Sequence, residues 1–281
     1  MTADAAEIAR PDPAVRARRF VLLCHQRSGS NALSAILNDD PRVHLYGQLF
    51  NHFLEYRLRN ARYRLSAYRT HPEALRHFGQ RPPLRPRLER AVLGALPTER
   101  DLGRFVGNFW KRTARHATEA AALGFKLHDY QVSDADLAAL ARDHADATVM
   151  LWRRNLLKAA VSWAYAIRTD VWSSRKAASG PAPVHRLDPD EIGWFIEKTA
   201  ANVARWREVL EASGGRWLEL TYEDHVEPRA LEPLYRFLGL DWQGPPAFRT
   251  RRLSSADYAH IANAEELERR FGDPVTGRLF E

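Results

Sequence analysis

The chain has 281 residues, 45% of them hydrophobic, enough to bury the core of one elaborated α/β domain. Its formal net charge of +7 points to anionic partners such as a nucleotide, an acidic glycan or a membrane surface, without choosing among them. A single cysteine, Cys24, excludes an internal disulfide framework, and no run approaches the roughly 18 apolar residues of a membrane helix, so the expectation is a soluble cytoplasmic protein with peripheral membrane contact left open.

Residues 1–18 read as a flexible N-terminus, mixing Asp4, Glu7 and Asp12 with Arg10, Arg16 and Arg18 and lacking the apolar segment of a secretory signal. Residues 19–281 read as one domain. Phe20 to Cys24 is short, apolar and followed by a Ser/Gly turn, the mark of a buried parallel strand feeding a helix that begins near Asn31. Pro41 closes that helix after Asn38-Asp39-Asp40, and Val43 to Tyr46 reads as a second strand. From about residue 50 to 120 the spacing turns helical and arginine-rich, an inserted helical region broken by Pro82, Pro83 and Pro86. Its last helix sets Leu102, Phe105, Val106, Phe109 and Trp110 on one face.

Leu123 to Leu127 is a third strand with His128 at its carboxyl end. Ser133 caps a helix over Asp134 to His144, Ala147 to Trp152 is a fourth strand, and Arg153-Arg154-Asn155 leads into another helix. Pro189 to Ala212 makes a long amphipathic helix ended by Gly214-Gly215, Trp217 to Tyr222 a fifth strand, and Leu231 to Leu238 a helix stopped by Gly239. This alternation predicts an α/β fold around a parallel sheet of about five strands. The ligand crevice then lies beyond the carboxyl ends of the strands, where the loops after Cys24, Leu127 and Trp152 meet.

His25-Gln26-Arg27-Ser28-Gly29-Ser30-Asn31 joins the first strand to the first helix, so its backbone N–H groups and the helix N-terminus can cradle a phosphate. Gly29 permits close backbone approach, Arg27 adds a planar cationic donor, and Ser30 and Asn31 are short enough to cap the helix and touch phosphate oxygens. On spacing alone, a plain capped turn is the alternative. The loop lacks the Gly-Lys-Ser/Thr ending of nucleoside triphosphate hydrolases, no acidic strand end offers itself to magnesium, and the eleven histidines show no metal-ligand spacing. No nucleic-acid recognition motif is present.

A second candidate anion site follows the fourth strand, where Arg154 and Ser162 stand about two helical turns apart. Arg154-Asn155-Leu156-Leu157-Lys158-Ala159-Ala160-Val161-Ser162 resembles the 3′-phosphate-binding segment of sulfotransferases that use 3′-phosphoadenosine-5′-phosphosulfate (PAPS). Gln26-Arg27-Ser28-Gly29-Ser30-Asn31 is similar to their 5′-phosphosulfate loop, in the Arg-Ser-Gly-Ser form of bacterial carbohydrate-type members. Leu220-Thr221-Tyr222-Glu223-Asp224 resembles the segment after their last core strand. Arg251-Arg252-Leu253-Ser254-Ser255, with Ile261-Ala262-Asn263 and Glu265-Glu266-Leu267, is similar to the tail that closes over the nucleotide.

The resemblance implies a P-loop-like three-layer fold and PAPS as co-substrate without a metal. It implies transfer of the sulfonate to a hydroxyl of a carbohydrate, glycolipid or small-molecule acceptor. It assigns Arg27, Ser28, Gly29, Ser30, Asn31, Arg154, Ser162, Arg251, Arg252 and Ser254 to the nucleotide. Lys126-Leu127-His128 is similar to the Lys-x-His segment of cytosolic sulfotransferases, which implies Lys126 at the sulfonate, His128 as general base and Arg27 at the leaving phosphate.

Carbohydrate-type members often place a carboxylate just after the second strand, whereas this chain has Tyr46-Gly47-Gln48-Leu49-Phe50. Glutamine cannot take the proton, so the base is His128 or a neighbour such as Glu55, or activity is altered. His44 and His52 are further candidates. Arg57, Arg59, Arg62, Arg64 and Arg69 form either an acceptor surface or a solvated helix face, and Trp163, Tyr165 and Trp172 either stack on the acceptor or pack in the core. A non-catalytic nucleotide-binding protein of the same fold and a phosphoryl-transfer enzyme are the competing readings.

Overall fold

The structure is a computed structural model describing residues 17–49, 100–117, 119–128, 131–169, 171, 183–244 and 258–280. The expectations for His52, Glu55, the arginines between 57 and 69, Trp172, Arg251, Arg252 and Ser254 lie outside the described residues.

Five strands form one sheet: β1 (Arg18–Cys24), β2 (Val43–Gln48), β3 (Ala122–His128), β4 (Ala147–Trp152) and β5 (Trp217–Thr221). They pair in the order β2-β3-β1-β4-β5, and every pair is parallel. The apolar run Phe20 to Cys24 fills the central strand because both its faces are covered. Phe20, Leu22 and Cys24 pack with α1 (Ser30–Asp39) on one side, while Val21 and Leu23 pack on the other with α2 (Arg100–His116). The chain leaves β1 toward β2 on one side and returns to place β4 on the other, so a crevice opens beyond Cys24.

Ser133 Oγ accepts from Asp136 N at 3.2 Å and starts α3 (Asp134–Ala139). The helix expected to run to His144 instead widens into a π turn over Leu140–His144, whose last carbonyl accepts from Trp110 Nε1 at 2.8 Å. After β4 come α4 (Leu156–Thr169) and α5 (Pro189–Ser213), the latter capped by Asp188 and ended by Gly214 at φ 71. Trp163 is buried against Phe195, ring centroids 4.9 Å apart, so it belongs to the core between α4 and α5.

Several expected boundaries move: β1 opens at Arg18, inside the stretch read as N-terminal, β2 runs on to Gln48, and β3 takes in Ala122 and His128. β5 stops at Thr221 rather than Tyr222, because Thr221 and Asp224 form a reciprocal capping box that opens the one-turn helix α6 (Tyr222–His225). The helix expected from Leu231 begins as a 3-10 turn over Pro228–Leu231 and continues as α7 (Glu232–Phe237). A further helix, α8 (Ala264–Phe271), lies near the C-terminus.

Candidate active site

The loop after β1 alternates backbone handedness: Arg27 has φ 63 and Gly29 φ 81. Left-handed residues on either side of Ser28 turn successive N–H groups toward one side, the concave arrangement that binds anions. At Gly29 two requirements coincide. Its φ suits glycine, and a Cβ there would lie 2.3 Å from Cδ2 of Tyr222 and 3.0 Å from Cε1 of His225. Gly29 is itself the N-cap of α1 and no side chain caps the helix, which corrects the expected capping by Ser30 or Asn31. Those two residues are already helical, while the left-handed glycine supplies the turn. Ser28 Oγ is buried and has no hydrogen-bond partner among the described residues.

Asn31 is instead recruited by β3. Lys126 Nζ donates to Asn31 Oδ1 at 2.6 Å, and burial pushes the Lys126 ammonium below the usual lysine range. Two residues on, on the same face of β3, His128 is 4% exposed. Its backbone N–H donates to Gln131 Oε1 at 2.7 Å, and its Nε2 lies 2.7 Å from Gln48 Nε2.

Arg27 links the two candidate anion sites. Its Nε donates to Ser162 Oγ on α4 at 2.9 Å, and burial together with the like charge of Arg153 pulls its pKa down to about 10. The loop and the end of β4 are further stapled by His25. Its Nε2 accepts from Arg153 N at 3.1 Å and its Nδ1, which carries the proton, donates to Gln26 O at 2.6 Å.

Across the crevice, Glu223 accepts from Arg154 N at 2.9 Å and Asn155 N at 3.1 Å, and Asp224 accepts from Arg154 Nη1 at 2.9 Å. The Arg153 guanidinium sits 4.6 Å from the Tyr222 ring centroid, and that ring packs on Gly29. Through α6 the end of β5 therefore touches both Gly29 and the Arg153-Arg154 pair. Desolvation raises the Asp224 carboxyl, but hydrogen bonds from Thr221 and Arg154 outweigh it and leave the group below the usual range. Deeper in, His225 Nδ1 donates to Thr221 O at 3.2 Å, and burial lowers its pKa to about 4.

Residues 20–244 match the profile of the Sulfotransferase family. The chain belongs to the sulfotransferase family. The five-stranded parallel sheet with helices on both faces is the P-loop-like fold that membership implies, and the chain is a sulfotransferase. Among solved structures, a sulfotransferase from Alicyclobacillus acidocaldarius is 13% identical, with TM-score 0.46, covering 91% of this chain and 95% of its own. The sulfotransferase domain from the curacin biosynthetic pathway is also 13% identical, with TM-score 0.47, covering 81% of this chain and 75% of that one. No curated protein sequence matches.

The structure thus gathers Arg27, Ser28, Gly29, Ser30, Asn31, Lys126, His128, Arg154 and Ser162 at the carboxyl ends of β1, β3 and β4. Motif reading gave no individual role to His25, Arg153, Gln131 or His225. His25 opens the loop read as the phosphate cradle, Arg153 stands next to Arg154 and His225 next to Tyr222-Glu223-Asp224, whereas Gln131 had no such neighbour. His44 is exposed on β2 with its ring 4.3 Å from Tyr46. Among the described residues no group of three His, Cys, Asp or Glu side chains is arranged for a metal, and no helix is long and apolar enough to cross a membrane.

Proposed function

We propose that the chain binds PAPS with its 5′-phosphosulfate over the loop at Gly29 and its 3′-phosphate between Arg154 and Ser162, and transfers the sulfonate to a hydroxyl of a carbohydrate, glycolipid or small-molecule acceptor. The observation that carries this reading is the 2.9 Å hydrogen bond from Arg27 Nε to Ser162 Oγ, which joins the loop after β1 to α4 and so supports two anion sites within one nucleotide's reach. The buried Ser28 hydroxyl, without a partner among the described residues, supports it by offering a phosphate oxygen a donor already removed from water.

In the step itself, the acceptor oxygen attacks sulfur and forms an O–S bond while the bond from sulfur to the 5′-phosphate oxygen breaks. The electron pair stays on that phosphate oxygen, giving adenosine 3′,5′-bisphosphate, and the acceptor proton passes to Nε2 of His128. Arg27 stabilises charge on the leaving oxygen and Lys126 on the sulfonate. In this reading the balance calls for no metal, with Arg27 and Lys126 as the cationic donors.

Incubation with PAPS labelled in its sulfonate and pooled polar and lipid cell extracts tests the reading. Label appearing in an acceptor, together with saturable binding of adenosine 3′,5′-bisphosphate, is the expected result. Binding without transfer favours the non-catalytic reading that the Gln48 departure raises, and absence of binding removes both.

A further inference from the structure

β2 and β3 run in register from Val43↔Ala122 to Tyr46↔Phe125, then shift so that Gln48 faces Lys126. Gly47 is the extra residue of a β-bulge. Before the bulge, Val43 and Leu45 pack on the α1 side, whereas Tyr46 points to the α2 side, where its ring meets Phe109 at 5.2 Å. Strict alternation would send Gln48 to the α2 side with Tyr46. The bulge reverses that parity and brings Gln48 to the α1 side, the side of Lys126 and His128, where its amide nitrogen meets His128 Nε2 at 2.7 Å. A bulge that re-aims a single side chain onto the imidazole is a local device, because the register before it already satisfies the pairing of the sheet.

Resting on the reading of His128 as general base, we infer that Gln48 is its positioning residue, holding the ring neutral with Nε2 as the nitrogen that receives the acceptor proton. With the Gln48 amide nitrogen turned to the ring, Gln48 donates and Nε2 accepts, an orientation that puts the ring proton on the buried Nδ1. Gln131 fixes the other half of the residue, accepting from the His128 backbone N–H at 2.7 Å while its own N–H donates to His128 O at 3.0 Å. An arriving hydroxyl displaces the Gln48 amide from Nε2 and gives up its proton there. Gln48 then rotates about its last bond so that Oε1 accepts from the new N–H, a double service that a carboxylate, which only accepts, cannot give. The glutamine that departs from the family pattern is therefore matched to an imidazole base.

Among the described residues, the titratable and charged groups on the elements around His128 are Lys126 on its own strand, Cys24 opposite it on β1, and Arg27 in the loop after β1. The α1 helix contributes the neutral Asn31.

The test is the long-range 1H–15N spectrum of the full chain labelled at its histidine nitrogens, with His128 assigned by its loss in His128→Gln. At pH 8 the wild-type ring is expected neutral and protonated on Nδ1. In Gln48→Glu its protonation midpoint should rise by about 1 pH unit, as for an imidazole gaining an adjacent carboxylate. In Gln48→Leu the ring should populate both tautomers, and the initial rate of label transfer from PAPS into the pooled extract should fall about tenfold, a part of the full general-base contribution. A wild-type ring protonated on Nε2, a midpoint unmoved in Gln48→Glu, or equal rates in wild type and Gln48→Leu overturns the positioning role alone. No transfer by wild type despite binding of adenosine 3′,5′-bisphosphate overturns the transfer reading, whatever the spectra show.

Discussion

Two helices begin at the floor of the crevice, and their N-termini are treated in opposite ways. At α1 the cap is a left-handed glycine that makes no side-chain cap hydrogen bond. At α4 the corresponding groups are occupied: Glu223 takes Arg154 N and Asn155 N, Asn155 Oδ1 accepts from Lys158 N at 2.8 Å, and the carbonyl of Thr276 accepts from Leu157 N at 3.1 Å. Every helix start carries orphan N–H donors, so what differs is who satisfies them. The protein closes the α4 start with its own carboxylate and C-terminal segment, whereas the α1 start carries no such cap. On the proposed reading, backbone recognition of the donor belongs to α1, and recognition beside α4 falls to the side chains of Arg154 and Ser162.

The largest effect expected from this division is on Arg27, the group that spans both helices. Arg27→Ala should lower turnover at saturating PAPS about a thousandfold, the scale of a transition-state donor lost from a buried site. Affinity for adenosine 3′,5′-bisphosphate, measured by calorimetry, should change far less. Equal losses in the two quantities would make Arg27 a ground-state ligand and erase its special place between the helices.

Next in size is the open start itself. Gly29→Ala forces a left-handed backbone on alanine and drives a methyl to within 2.3 Å of the Tyr222 ring. The expected cost is about 2 kcal/mol of stability by urea unfolding, with loss of bisphosphate binding. Retained binding in this variant would show that the amides at α1 are not the phosphate cradle. At the closed start, Glu223→Ala uncovers two amides and should weaken bisphosphate binding about tenfold, through a displaced Arg154, whereas Glu223→Gln keeps an acceptor and should stay near wild type.

Much of this contrast was legible in the sequence, but unevenly. The strands were read from apolar runs bounded by turn residues, and α5 from its amphipathic spacing, because those signals are local. The α1 start was located correctly yet its cap was misread. Ser30 and Asn31 have capping side chains, but whether a residue is the cap depends on where the backbone turns left-handed, and Gly29 takes that position. Glu223 was visible only as part of a family-like segment, since its partners at Arg154 and Asn155 lie about 70 residues away and meet it through strand pairing. The bulge at Gly47 left no trace beyond a glycine, although it decides which face of the sheet Gln48 serves.

The smallest effect tests what holds the open start in place from behind. His225 is fully buried against Gly29, and burial lowers its pKa to about 4 from the ordinary 6.5. The folded protein thus keeps this imidazole neutral where the unfolded chain would protonate it. Above pH 6.5 the group contributes no pH dependence; as pH falls from there toward 4 the unfolded state binds the extra proton and stability declines, and below about 4 the decline from this residue levels off. Between pH 7 and pH 5 the loss amounts to about 2 kcal/mol. His225→Met, which cannot titrate, should therefore be similar to wild type at pH 7 but lose less stability on going to pH 5, as followed by urea unfolding at the two values. Parallel losses in wild type and variant would mean that His225 is already protonated or exposed when folded. The loop at Gly29 would then rest on the Tyr222 ring alone.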